Sequence, residues 1–150
     1  MLRWTEDKEI VKALLEKTVK GFTPGDNSSF RLFELSVSWE EDVDFMERLF
    51  SETHNLPEKY RDLIANNTRN WEVDRLPLTD RVVLEMAIGE LMTFPNIPVK
   101  VTINEYIELT KHYSTPNSRQ FVNGILDVIA KALTDAGDLK KSGRGLIDNK

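Results

Sequence analysis

Between Thr79 and Phe94 the chain places apolar residues on nearly every side of a helix. Val82, Val83, Leu84, Met86, Ala87, Ile88, Leu91 and Met92 leave a narrow polar strip formed by Arg81, Glu85 and Gly89. Such a helix is stable only where neighbours bury most of its circumference, because its apolar surface gains free energy by leaving water. Other helices must therefore pack around it.

The flanking segments have the patterning to do so. Ile10, Val11, Leu14, Leu15 and Val19 recur at helical spacing behind Thr5, which is placed to cap a first helix. Gly21, Pro24 and Gly25 end that helix, and 21–37 reads as a connection, loosest at Gly25–Ser29. Ser38-Trp39-Glu40-Glu41 has the spacing of a capping box, followed by the stripe Val43, Met46, Leu49 and Phe50. Pro57 suits the first position of a third helix carrying Tyr60, Leu63 and Ile64 to about Asn67. Trp71–Pro77 is a short connector, and Pro95-Asn96-Ile97-Pro98 breaks the central helix. Thr102-Ile103-Asn104-Glu105 reads as a second capping box, which assigns Asn104 and Glu105 to structure. Thr115-Pro116 opens a last helix with Val122, Ile125, Leu126, Ile129 and Leu133 in its stripe. From Asp135 onward Gly, Lys, Ser and Asn dominate, so 135–150 is expected to be a flexible tail. The reading is all-α, about six helices, in a chain of single-domain length.

Several function classes drop out. No cysteine is present, which removes disulfides, thiolate nucleophiles and cysteine zinc sites. No apolar run reaches bilayer-spanning length, and Met1–Asp7 lacks the basic-then-apolar layout of a signal peptide, so a cytoplasmic location without membrane contact is expected. His54 and His112 stand in no metal-ligand spacing, and no phosphate-binding glycine loop or nucleophile elbow occurs. Glu40, Glu41, Asp42 and Asp44 read as a helix start stabilised by the dipole rather than a carboxylate pair. Trp4, Trp39 and Trp71 read as closing cores at element boundaries rather than stacking bases. No reaction centre, cofactor or metal is expected.

The net charge of −5 argues against broad, sequence-independent nucleic-acid binding, where phosphate neutralisation supplies most of the affinity. The charge is uneven. Residues 1–70 hold 14 acidic and 10 basic residues, whereas 98–133 hold 3 acidic and 4 basic. An anionic partner therefore meets the second half more readily.

Two stretches carry a specific resemblance. Trp71-Glu-Val-Asp-Arg-Leu-Pro-Leu-Thr-Asp-Arg-Val-Val-Leu-Glu-Met-Ala-Ile-Gly-Glu-Leu91 resembles the tryptophan connector and central helix of the NusB family of transcription antitermination factors. Ile97–Tyr113 and Ser118–Asp127 are similar to that family's "IP…INE…ELAK" and "FVNGxLD" signatures, in the same order and spacing. The match is strong over about 39–133, weaker over 3–22 and absent over 134–150. The chain is similar to the C-terminal part of longer NusB-like proteins. The arginine-rich opening helix usual in the family is replaced here by a helix of mixed charge, with only Arg3 before it.

The resemblance implies a NusB-like bundle of two packed helical subdomains over 1–134, divided as 1–70 and 71–134. It implies a non-enzymatic module that pairs with NusE, a small-subunit ribosomal protein, binds boxA-type RNA and joins the RNA polymerase antitermination complex, chiefly in ribosomal RNA operons. Two alternatives stand beside this. One is the NusB-like accessory domain of a ribosomal RNA methyltransferase, disfavoured by the polar ending at Lys150. The other is a structural helical domain without RNA binding.

By the same resemblance, Asp80 and Asn117 fall where the family meets NusE, and Phe121 falls where it meets RNA. Phe121 lies about 70° from the centre of its helix's apolar stripe, so it either packs as core or offers a face to a base. Ser118, Arg119 and Gln120 stand near a helix N-terminus, where amides and dipole suit a phosphate, although an ordinary capped start explains them as well. Arg81 lies beside Asp80 in the polar strip, and Lys100 and Lys111 are further candidates for phosphate contact.

Overall fold

A computed structural model of the chain describes residues 4–22, 32–68 and 76–147. Six α-helices follow in order: α1 Trp4–Lys20, α2 Trp39–His54, α3 Glu58–Thr68, α4 Leu78–Thr93, α5 Val99–Tyr113 and α6 Ser118–Asp135, then a 3-10 turn at Gly143–Leu146. No strand occurs among the described residues, in keeping with the all-α reading. Arg3, the 25–29 loop and the connector around Trp71 lie outside the described residues.

The chain forms two compact units, Met1–Asp44 and Phe45–Lys150. The division expected after residue 70 is therefore not where the contacts divide. The reason is α3 and the residues leading into it: Leu56, Tyr60 and Ile64 are buried in one core with α4, α5 and α6. In the first unit, the Phe33 amide donates to Thr18 Oγ1 at 3.2 Å, and the Thr18 hydroxyl donates to the Leu14 carbonyl at 2.8 Å. That pair of bonds returns the chain to the end of α1.

In the second unit α4 is the centre, as its all-round apolarity requires. Leu84, Ala87, Ile88 and Leu91 are at most 1% exposed. Burial of this kind contributes about 1.5–3 kcal/mol for each Leu or Ile. Ile103, Tyr106 and Ile107 of α5 and Val122, Ile125, Leu126 and Ile129 of α6 complete the core. Of the polar strip, Arg81 is exposed and Glu85 half-buried, but Gly89 is buried. A Cβ at Gly89 would stand 2.8 Å from Thr53 Oγ1, so this glycine allows α2 to approach α4 closely.

The second capping box is not formed. Helix α5 starts at Val99 with Pro98 as its N-cap, and Thr102 sits one turn inside it, 0% exposed. Pro98 has a φ of −60°, and its carbonyl accepts from the amides of Val101 and Thr102 at 3.1 and 3.2 Å. The ring fixes the dihedral that begins the first turn, which moves the start ahead of the Thr-x-x-Glu pattern. Asn104 and Glu105 are consequently exposed on the middle of a helix and have no capping role.

The segment after α6 is docked where composition suggests a loose tail. Gly137, with φ 73°, donates to the Thr134 carbonyl while Asp138 donates to that of Leu133, the pattern that closes a helix through a left-handed glycine. Lys59 Nζ lies 3.1 Å from Asp138 Oδ2. Lys141 Nζ then donates to the carbonyls of Leu91 and Phe94 at 3.0 and 3.1 Å, capping the C-terminus of α4. The Ser142 amide donates to the Pro95 carbonyl at 2.9 Å. Composition carries no sign of these long-range bonds. Among the described residues, no helix is long and apolar enough to cross a membrane, and no cluster of His, Asp or Glu could hold a metal ion.

Candidate nucleic-acid interface

Helices α5 and α6 are joined by a turn, Ser114–Asn117, whose shape is set by hydroxyls. The Ser114 amide donates to the Thr110 carbonyl at 2.9 Å and closes α5. The Ser118 amide donates to the Thr115 carbonyl at 3.0 Å and opens α6, with Pro116 supplying a fixed φ between them. The Ser114 hydroxyl donates to Asp80 in the first turn of α4. Ser118 Oγ stands 3.0 Å from Ser114 Oγ and 2.7 Å from Thr115 Oγ1. The connection is thereby tied to the start of the central helix.

This network relocates two of the expected contact residues. Asp80 is 2% exposed and Ser118 4%, so both face the interior. A buried carboxylate and hydroxyl must find partners inside the protein, and each finds the other's neighbours. Asp80 and Ser118 thus direct their side chains into the network that ties the α5–α6 turn to the start of α4.

The others remain at the surface, on three faces. Asn117 is exposed in the turn, and Arg119 and Gln120 are exposed on the first turn of α6. Lys100 and Lys111 are both exposed on α5. Eleven residues apart, they lie on one face, separated by roughly 16 Å along the axis. Arg81 points elsewhere: its Nε is 2.8 Å from Glu85 Oε1, beside Arg61 and Asp62 on the α3–α4 face. Phe121 is half-buried and packs against the core from the flank of α6 roughly 200° away from Arg119. Its alternatives resolve mainly toward packing, with one side still accessible.

Between α5 and α6 lies a groove of about 590 Å³ lined by Asn104, Ile107, Glu108, Pro116, Arg119, Gln120 and Asn123. Five of these seven escape the sequence reading. Asn104 is masked there by the apparent capping box. Asn123 stands four residues beyond Arg119 and Asn104 four beyond Lys100, a spacing that marks shared faces once the helix limits are known. Glu108 accepts from Lys111, and that bond, with the nearby charges of Lys111, Arg119 and His112, holds its carboxyl below the usual range. The rim is therefore cationic but partly neutralised from within.

A second buried polar cluster lies behind α5. The Tyr106 hydroxyl donates to the Glu90 carboxylate, and burial followed by the neighbouring negative charge pushes the phenol well above its ordinary range. Lys141, which caps α4, is half-buried near the same carboxylate; desolvation lowers its pKa and Glu90 opposes that effect. Among the described residues nothing in either cluster forms a nucleophile–base pair facing a cavity. The arrangement is one of donors, acceptors and charges on a rigid helical hairpin.

Comparison with known proteins agrees with this architecture. The NusB family model matches residues 6–131. The Transcription antitermination protein NusB of Salinibacter ruber is 47% identical over 104 residues, covering 69% of this chain and 65% of that protein. That of Chloroherpeton thalassium is 34% identical over 143 residues, covering 93% and 62%. The chain thus spans less than two thirds of the length of these two relatives. The namesake from Dehalococcoides mccartyi is 35% identical over 136 residues, covering 88% of this chain and 92% of its own. A solved structure of T. maritima NusB superposes with a TM-score of 0.56 and 31% identity, over 87% of this chain and 92% of that one. With α1 to most of α6 inside the matched span and the same helical fold, the chain belongs to the NusB family.

Proposed function

We propose that this chain is a non-enzymatic transcription antitermination module, which binds boxA-type RNA together with NusE as part of an RNA polymerase antitermination complex. The observation that carries the reading is the family match over 6–131, with relatives named for antitermination. The α5–α6 rim supports it. Lys100, Lys111 and Arg119 supply positive charge on an otherwise acidic protein, Gln120 stands beside Arg119 on the first turn of α6, and Phe121 lies on the opposite flank of that helix. Asn117, exposed in the turn, is the retained candidate for the NusE contact. Arg81 serves RNA only if the strand extends to the α3–α4 face. Work at a transcription complex implies a cytoplasmic setting.

The test is a titration of the full chain with a labelled boxA-type oligonucleotide, with and without NusE. Saturable binding strengthened by NusE is expected. Three rim cations give a slope of log affinity against log salt of about −2, at roughly 0.7 per phosphate on a single strand. No binding in the presence of NusE refutes the reading.

A further inference from the structure

The buried edge of α6 runs through Ser118, Val122, Ile125, Leu126 and Ile129. At roughly 100° per residue, Arg119 and Asn123 fall to one side of that edge and Phe121 to the other. The groove between α5 and α6 lies on the Arg119 side, and Phe121 does not line it. A strand that reaches Phe121 therefore leaves this depression as separate territory, around the N-terminus of α6.

The lining has a definite chemistry. Asn104 from α5 and Gln120 and Asn123 from α6 bring three carboxamides to one depression. Asn104 and Gln120 are exposed and Asn123 is half-buried, so all three side chains are reachable from the depression. Each carboxamide sets a donor beside an acceptor, which is the complement of a nucleobase edge, and Asn and Gln match adenine through its N6 and N7. Ile107 and Pro116 provide a small apolar floor for a ring face. Arg119 adds a planar cation that can stack on a base or meet its phosphate. The volume of about 590 Å³ lies within the range of small-molecule clefts. A protein partner would instead want a large apolar anchor pocket, and the floor here is too small for one.

We propose that the α5–α6 groove is a second RNA subsite that accepts one unstacked base, adenine by preference, read at its edge by Asn104, Gln120 and Asn123. The subsite rests on the reading that the chain binds RNA, and extends it to a surface on the far flank of α6 from Phe121. RNA single strands are recognised by splayed bases held in this manner, whereas phosphates alone would give no sequence preference.

The experiment uses the full chain with NusE and a boxA-type oligonucleotide, with affinity read by fluorescence anisotropy at several salt concentrations. Asn104→Ala and Asn123→Ala are each expected to weaken binding at least about fivefold, the lower end of the range for losing a bidentate base contact. The salt slope stays at the wild-type value, because no phosphate contact is lost. A scan of single abasic nucleotides identifies one position whose removal costs wild type the same factor and costs Asn123→Ala nothing further. Gln120→Ala, at an exposed position, gives the same pattern should Asn123→Ala disturb folding. Wild-type affinity in all three variants overturns the subsite and leaves the RNA reading intact. A reduced salt slope overturns it in favour of a phosphate site, and a loss confined to NusE binding overturns it in favour of a protein surface. Failure of the wild type to bind RNA at all sinks the parent reading as well.

Discussion

Replacing Asp80 by alanine separates an interior role from a contact role, because the two predict opposite readouts. Asp80 lies in the first turn of α4 and accepts a bond from Ser114, whose oxygen is 3.0 Å from Ser118. Losing a hydrogen bond to a buried charged group costs about 1.5–3 kcal/mol. Losing a carboxylate at a helix N-terminus removes about 0.3–1 kcal/mol more, and the better helix propensity of alanine returns roughly 0.5 kcal/mol. The expected destabilisation is about 2–3 kcal/mol, read as a lower urea midpoint with unchanged m-value. Asp80→Asn keeps an acceptor in place and should lose only about 1 kcal/mol, the worth of the charge assistance. In the double-mutant cycle Asp80→Ala with Ser114→Ala, a coupling of about 1–2 kcal/mol is expected because the two groups are in direct contact. A contact residue at the surface behaves differently: stability stays within about 0.5 kcal/mol of wild type while partner affinity falls. That outcome refutes the assignment of Asp80 to the interior network.

Three further predictions test other parts of the molecule. Tyr106→Phe leaves the buried Glu90 carboxylate without its phenol donor and should cost about 1–3 kcal/mol at neutral pH, measured by urea unfolding. Because the folded pKa of Tyr106 is raised above its ordinary value of 10.0, the stability it confers is complete below that pH and is lost progressively as the pH rises from there toward the raised folded value. The phenylalanine variant should therefore lose less stability than wild type on moving from pH 9 to about 11. Gly145→Ala drives a methyl group into the Pro95 carbonyl oxygen, so the terminal turn must lift and take Lys141 off the end of α4. Amide exchange over 138–147 should lose its protection and stability should fall by about 1–3 kcal/mol, whereas unchanged exchange contradicts the docked segment. Glu108→Gln releases Lys111 and Arg119 from an internal carboxylate, and should raise RNA affinity several-fold with a salt slope steeper by about one; a lower or equal affinity argues that this carboxylate does not compete with phosphate.

The parts of the fold legible in the sequence are those governed by local periodicity. The all-round apolarity of 79–94 places α4 at the centre, and its most buried members, Leu84, Ala87, Ile88 and Leu91, lie inside that run. What escapes is decided by competition or by distance. At 98–105 two start signals compete, and the fixed φ of Pro98 wins over the Thr102–Glu105 pattern because a helix already begun leaves no free amides for Thr102 to cap. The same competition obscures Asn104, whose place in the Thr-x-x-Glu spacing suggests a cap while the start at Val99 leaves it exposed on the middle of the helix. Ser118 and Arg119 are adjacent in sequence and opposite in environment, a distinction that depends on where Asp80 arrives from α4. Lys141 is 50 residues from the Leu91 carbonyl it caps, and nothing in a Gly-, Lys- and Ser-rich stretch announces that partner.

Helix α5 is held against α4 by directional bonds at two levels. Tyr106 engages Glu90 in its middle, and Ser114 engages Asp80 at its end. An apolar interface alone tolerates a helix that slides or rotates by small steps, since burial is roughly proportional to area and carries little direction. A buried hydrogen bond does not tolerate this: moved by an ångström it becomes an unsatisfied group costing about 1–3 kcal/mol. Two such bonds on one helix, to two turns of the same neighbour, fix both its position along the axis and its rotation about it. Ser118 extends that constraint to α6, so the orientation of Asn104 relative to Asn123 follows from residues that never reach the surface. We infer that these buried polar groups, less stabilising than well-packed apolar side chains of the same volume would be, serve the geometry of the rim. A surface that must present several side chains to one partner loses affinity to any freedom it keeps, and here that freedom is removed from the inside.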